Sequence, residues 1–215
     1  MIFHEYKLIF IHIPKTGGSS IEHALAESLD MNLNVTESDE NTFAGWDEKN
    51  HIWRQHATIE ELTNLYQGSL EGYISVSFVR NVWSRAVSDF LWLSQELRIS
   101  DGEFIQYLTG SGKFKEALDV DNKQPSKRWD HVRPQLDFIT MDNELCVDYV
   151  GGFETLLQDF KVLCKMIGVD DIELPHHKKG EYDKPYTDYY DEETIALVAE
   201  KYKKDISVFK HEFGK

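Results

Sequence analysis

The sequence predicts an α/β fold with a three-layer architecture around a mostly parallel central sheet, and three observations carry that prediction. Leu8 to Ile13 is a nearly unbroken apolar run of the kind that lies buried on both faces of a parallel sheet. Tyr73 to Val79 is a second such run. Each passes into apolar residues at helical spacing: Ile21, Ala24 and Leu25 after the first, Val82, Ala86, Val87 and Phe90 after the second. Strands that alternate with helices favour parallel pairing through crossover helices.

Between the first strand and its helix stand Pro14-Lys15-Thr16-Gly17-Gly18-Ser19-Ser20. Two glycines permit a sharp turn and a close approach of backbone to ligand. The first amides of the helix lack intrahelical acceptors and carry the positive end of its dipole, which makes an anion site most often filled by phosphate. Lys15 adds a mobile charge, and Ser19 and Ser20 add hydroxyl donors. The nucleoside triphosphate loop, Gly-x-x-x-x-Gly-Lys-Ser/Thr, has its lysine after the glycines. Here the lysine precedes them, and no copy of that motif occurs elsewhere. On this stretch alone, a plain strand-to-helix turn remains the alternative.

Further along, residues 30 to 50 are polar and acidic and read as a loop or lid, packed somewhere through Phe43 and Trp46. Thr58 with Glu61 forms a capping box that opens a helix over about 59 to 66, just after His56. Ser100 with Glu103 predicts another, opening a helix near 103 to 108. Phe138 to Met141 and Cys146 to Val150 are short strand candidates. A helix is expected from about Glu154 to Ile167 with Leu156, Leu157, Phe160, Leu163, Cys164 and Ile167 inward, and a closing helix from about Glu192 to Lys210.

The totals restrict function. A chain of 215 residues, 41% apolar, supports one substantial core, so a single domain over 1–215 is expected. Its formal charge of 23 − 38 = −15 disfavours nucleic acid and anionic membranes as partners, yet leaves room for a local basic pocket. Cys146 and Cys164 make neither a disulfide framework nor a metal-binding spacing; Cys164 reads as core. The start of the sequence lacks the features of a secretory signal, and no apolar run approaches the roughly 20 residues that span a bilayer. A soluble, cytoplasmic protein is expected.

The second strand runs into Phe78-Val-Arg80-Asn-Val-Trp83-Ser-Arg85-Ala-Val-Ser88. In an open parallel sheet, ligands bind beyond the carboxyl ends of strands. A strand-end arginine with a helix serine suits a second phosphate, the guanidinium gripping it bidentately; pairing of Arg80 and Arg85 with surface carboxylates is the plainer alternative. Together the two motifs resemble the 5′-phosphosulfate loop and the 3′-phosphate motif of sulfotransferases, in the family's order. Val82 stands where many members have proline. Arg133-Pro-Gln-Leu-Asp-Phe-Ile, Val147-Asp-Tyr-Val-Gly-Gly-Phe-Glu-Thr-Leu and Tyr189-Tyr-Asp-Glu-Glu-Thr also resemble the carbohydrate-sulfotransferase branch.

The resemblance implies a P-loop-like fold and transfer of a sulfuryl group from 3′-phosphoadenosine 5′-phosphosulfate (PAPS) to an acceptor hydroxyl on a glycan or small molecule. The bisphosphate PAP would be the product, and no metal would be needed. It assigns donor binding to Lys15, Thr16, Gly17, Gly18, Ser19, Ser20, Arg80 and Ser88, with Lys178 and Lys179 either closing over the 3′-phosphate or forming a solvated lysine pair. Lys15 would also stabilise charge developing on the leaving oxygen. His56 is the expected general base, because it precedes Arg80 by a spacing similar to that in uronosyl sulfotransferases. His51, Glu60 and Glu61 are substitutes, and donation by His56 to a backbone carbonyl is the structural alternative. His12 reads as packed in the strand, while His131, His176 and His177 could line the acceptor side. Lys123, Lys127, Arg128 and Arg133 form a basic stretch that would meet an acidic sugar or serve as a soluble loop. Trp53 or Trp83 would stack on adenine or sugar. Two rivals stay open: a nucleotide or small-molecule kinase, and a non-catalytic nucleotide-binding module.

Overall fold

The computed structural model describes residues 1–33, 37–169, 172–174 and 184–215. In chain order the strands are β1 (Ile2–Phe3), β2 (Leu8–Ile11), β3 (Trp46–Asp47), β4 (Ile52–Trp53), β5 (Ile74–Val79), β6 (Thr140–Met141), β7 (Glu144–Leu145) and β8 (Tyr149–Gly152). The helices are α1 (Gly18–Ser28), α2 (Ile59–Leu65), α3 (Val82–Glu96), α4 (Phe104–Thr109), α5 (Leu136–Ile139), α6 (Leu156–Met166), α7 (Glu192–Lys201) and α8 (Lys203–Phe209). The chain divides into two compact units, Met1–Val79 with Gln135–Lys179 and Arg80–Pro134 with Gly180–Lys215.

The first unit holds a four-stranded sheet in the order β1-β2-β5-β8. β2 pairs parallel with β5 (Leu8 opposite Ile74), and β5 pairs parallel with β8 (Val79 opposite Gly152); only β1 is antiparallel. The α/β class and mostly parallel sheet are therefore as the sequence predicts. Leu8, Phe10, Val76 and Phe78, alternate residues of two neighbouring strands, share a core with Leu25 of α1 and Phe160 of α6. Cys164 is buried there, as read. Among the described residues, no helix is long and apolar enough to cross a membrane.

In the second unit α3, α4 and α7 enclose Val82, Trp83, Leu93, Phe114 and Val198. Asn81 caps α3, accepting from the amides of Trp83 (3.1 Å) and Ser84 (3.3 Å), while its own amide group donates to Glu212 O (2.8 Å) and Lys215 O (3.2 Å).

Several boundaries differ from expectation. Phe138 and Ile139 are helical in α5, and strand begins only at Thr140. The strand expected over Cys146 to Val150 is β8, shifted to Tyr149–Gly152, because the backbones of Gly151 and Gly152 pair with Phe78 and Val79. The Ser100 capping box is absent: Glu103 is the N-cap of α4 without a side-chain cap bond. The closing helix breaks at Tyr202 (φ −111°, ψ 26°) into α7 and α8. Leu157 faces out, 51% exposed.

Candidate active site

Lys15 (φ +69°) and Gly17 (φ +88°) both adopt left-handed backbone, which folds the chain back at the end of β2 and sets Gly17 as the N-cap of α1. No side chain caps this helix start. The Ser20 amide turns back to the Gly17 carbonyl (3.1 Å), so the outward donors of the turn are the amides just before it. Thr16 is fully buried and its hydroxyl donates to Ile13 O (2.8 Å). Its side chain is therefore structural, and only its backbone can serve an anion. Ser19 and Ser20 are half-buried on the first turn.

Gly18 has a stricter reason to be glycine: a Cβ there would overlap the imidazole of His12. That ring lies beneath the turn, 5% exposed, with Nδ1 3.0 Å from the Glu22 carboxylate of α1. Sequence reading took His12 as packing and gave Glu22 no role. The available signal was a charged residue placed on the apolar side of an amphipathic helix, in register with a histidine at the strand end.

The Thr58–Glu61 capping box forms as read: the Glu61 amide donates to the Thr58 hydroxyl (3.0 Å), and the Thr58 amide donates to the Glu61 carboxylate (2.8 Å). It anchors the start of α2 directly behind the 3-10 turn Arg54–His56. Arg54 is held by Asp47 through Nε (3.1 Å) and Nη2 (2.9 Å). His56 is half-buried; its Nδ1 lies 3.0 Å from the His12 carbonyl and its ring meets the His12 ring edge-on, with centroids 4.6 Å apart. A carbonyl can only accept, so Nδ1 carries the proton and the basic lone pair of neutral His56 is on Nε2. The backbone bond foreseen as the bland alternative is present, and it is what fixes the tautomer. The substitutes fare differently. His51 is exposed on the β3–β4 hairpin against Trp46, Glu60 is exposed, and Glu61 is committed to the capping box.

In the second unit Arg80 is 5% exposed and its Nε donates to Ser84 Oγ (3.0 Å). Ser84 was passed over in favour of Ser88, which is half-buried one turn further along α3; serines four apart share one helix face. Arg85 points to backbone. It donates to the carbonyls of His131 (2.8 Å) and Arg133 (2.9 Å). His131 is buried rather than on an open loop, with Nδ1 2.6 Å from Asp89 and its ring stacked on Trp92 at 4.7 Å. Both oxygens of its neighbour Asp130 are buried without a hydrogen-bond partner among the described residues, and burial raises the pKa of that carboxyl.

The basic stretch is largely absorbed by the protein. Lys127 pairs with Glu116 (2.7 Å), Lys123 and Arg133 lie over Trp129, and Arg128 lies over Trp92. Trp83 is buried, donates to Ile195 O (3.2 Å) and packs on Phe213, which removes it as a stacking platform. Trp53 packs edge-on against Trp46 (5.5 Å). His176, His177, Lys178 and Lys179 lie outside the described residues.

The chain matches the sulfotransferase family over residues 1–212, almost its full length. It belongs to that family. A crystal structure of a sulfotransferase from Alicyclobacillus acidocaldarius is similar to this family member with 15% identity and a TM-score of 0.47, covering 96% of each chain. No match was found among curated proteins.

Proposed function

We propose that this sulfotransferase-family chain moves a sulfuryl group from PAPS to a hydroxyl, with a carbohydrate as the acceptor class. The observation that carries the reading is the setting of His56: a histidine whose Nδ1 proton goes to the carbonyl of His12, which fixes the tautomer and ties the ring to the strand end that feeds the glycine turn. The turn fits a 5′-phosphate, since an uncapped helix start, left-handed Gly17 and the inward Thr16 leave its face to backbone amides.

In this reading the donor supplies a sulfuryl group carried on a phosphate leaving group. The amides of Gly17 to Ser19 and the hydroxyls of Ser19 and Ser20 hold that phosphate, and Lys15 stabilises the charge that develops on it. Arg80, Ser84 and Ser88 are assigned to the 3′-phosphate, joined by Lys178 and Lys179. His56 Nε2 takes the proton of the acceptor hydroxyl as its oxygen becomes nucleophilic, and later releases it to water. Lys123, Arg128 and Arg133 lie over aromatic rings and keep their charge, so an acidic sugar and a neutral glycan both stay within the acceptor class.

The test is a labelled-donor screen across neutral glycans, uronate-containing glycans and simple alcohols, run beside calorimetry with PAP. Binding of PAP without metal, and label transfer to a glycan, are expected. Selective binding of ATP with Mg²⁺ instead would overturn the proposal in favour of a kinase.

A further inference from the structure

A cavity of about 290 Å³ lies in the first unit, with Glu40, Phe43, Arg54, Tyr66 and Gln67 among its walls. Its size, just below the range of about 300–1,000 Å³ that holds drug-sized molecules, suits a single ring. The frame is tied down. The His4 imidazole bonds the Tyr73 hydroxyl (2.7 Å) and the Asn41 carbonyl (2.8 Å), and the Ile2 amide donates to Thr42 O (2.8 Å). Tyr66 meets Phe43 edge-on with centroids 6.3 Å apart, and a Cβ on Gly68 would overlap the Tyr66 ring. Walls fixed in advance lower the ordering cost of binding.

Arg54 gives this cavity its chemistry. It is 9% exposed, and its N–H donors are unevenly used. Nε and Nη2 donate to Asp47, and Nη2 reaches Glu40 Oε1 only at 3.4 Å. Nη1 is buried with no hydrogen-bond partner among the described residues. A buried donor left unmade is costly, so the guanidinium has capacity for a further acceptor. Glu40, 87% exposed and held to Arg54 by that one long contact, can yield to a molecule that reaches for it. An anion is a poor occupant, because Asp47 already matches the charge of Arg54 and Glu40 adds a second carboxylate at the rim. An ammonium would face the guanidinium. A hydroxyl accepts from Arg54 and donates to Glu40, and a ring with adjacent hydroxyls satisfies both while its apolar face meets the aromatic walls. We propose that this cavity is a binding site for an uncharged sugar ring, distinct from the glycine turn. His56 is not among its walls, so the site stands whether or not that histidine is the base.

The experiment uses the protein without donor and a set of methyl hexosides: the uncharged glucoside, galactoside and mannoside, the anionic glucuronide and the cationic glucosaminide. Saturation-transfer NMR should show an uncharged hexoside bound and the charged sugars not. A crystal soaked in that hexoside should show ring hydroxyls on Arg54 and Glu40. Glu40→Ala, at an exposed position, should melt like wild type and bind the hexoside at least about tenfold more weakly, as loss of one charge-assisted hydrogen bond implies. It should also admit the glucuronide, since Asp47 alone then opposes the guanidinium. Arg54→Lys should abolish binding; should that variant fail to fold, Glu40→Ala still decides. Binding of no uncharged hexoside, preference for a charged sugar, a ring seated elsewhere, or an affinity unmoved by Glu40→Ala would overturn the proposal and leave the cavity to water. Calorimetry with PAP reads a separate quantity: a protein that binds the hexoside but not PAP would strike the donor reading and leave this site standing.

Discussion

Gly18→Ala tests how tightly the glycine turn is built on what lies beneath it. A Cβ at this position would occupy the space of the His12 imidazole, overlapping its Cδ2 and Nε2. The ring has little room to yield: Glu22 is 3.0 Å from Nδ1, the His56 ring is at 4.6 Å and the Phe10 ring at 5.9 Å. Overpacking of this sort costs about 1–3 kcal/mol. For a chain of 215 residues each kcal/mol lowers the melting temperature by about 2–4 °C, so a drop of about 2–12 °C is expected. If the turn shifts enough to lose one charge-assisted hydrogen bond to the 5′-phosphate, about 1.5–3 kcal/mol of binding goes with it, roughly 10- to 100-fold in PAP affinity. Thermal melts and calorimetry read both quantities. A double mutant with His12→Ala removes the obstructing ring and should recover about 1–3 kcal/mol relative to additivity. A Gly18→Ala protein that melts and binds like wild type, or strict additivity in the cycle, would refute the packing argument.

Arg80→Ala should weaken PAP by about 1.5–3 kcal/mol and adenosine 5′-monophosphate by much less, measured side by side in a titration calorimeter; equal losses would separate Arg80 from the 3′-phosphate. Asn81→Ala removes the cap of α3 and the donor to two C-terminal carbonyls, and urea unfolding should show a loss of about 1–2 kcal/mol. His56→Ala should lower transfer by about 10²–10⁴-fold while PAP affinity stays within about twofold, as single-turnover rates and calorimetry would show. Partial burial pushes the pKa of Asp159 up, but hydrogen bonds from the Thr155 hydroxyl, the Gly152 amide and the Tyr149 hydroxyl outweigh it and leave the carboxyl below its ordinary value. A carboxyl depressed in the fold contributes stability above its unfolded pKa of about 3.9 and loses it as pH falls through the folded value. Melting temperatures of wild type and Asp159→Asn should therefore differ near pH 7 and converge below about pH 4.

What could be read in advance was whatever depends on local chemistry. The two buried strands, the turn between β2 and α1, the Thr58–Glu61 box and α3 each follow from residues adjacent in the chain. Where tertiary pairing overrides local preference the reading slipped. The strand expected to end at Val150 runs on through Gly151 and Gly152 because β5 offers them a ladder, and Ser100 looks like a cap but lies too far from the helix that forms. Trp83 and His131 were misplaced for the same reason: their environments are made by Phe213 and Asp89, at 130 and 42 residues' separation. The partner of Arg80 is Ser84, four residues on, rather than Ser88, the serine at the family's motif position.

A chain of charge −15 that is read as the receptor of a multiply charged nucleotide needs its positive potential to be local, and the described residues show how that is arranged. Exposed carboxylates act through water and are screened beyond about 8 Å at physiological ionic strength. The groups assigned to the donor are of another kind. Arg80 is 5% exposed, and the turn presents amides at a helix start that no side chain caps. In such partly dehydrated settings a cation or an aligned dipole acts on a nearby anion far more strongly than the same charge does at the surface. The cations of the 123–133 stretch lie against Trp129, Trp92 and Glu116. On that reading, recognition of the donor turns on a few buried groups whose positions the fold fixes.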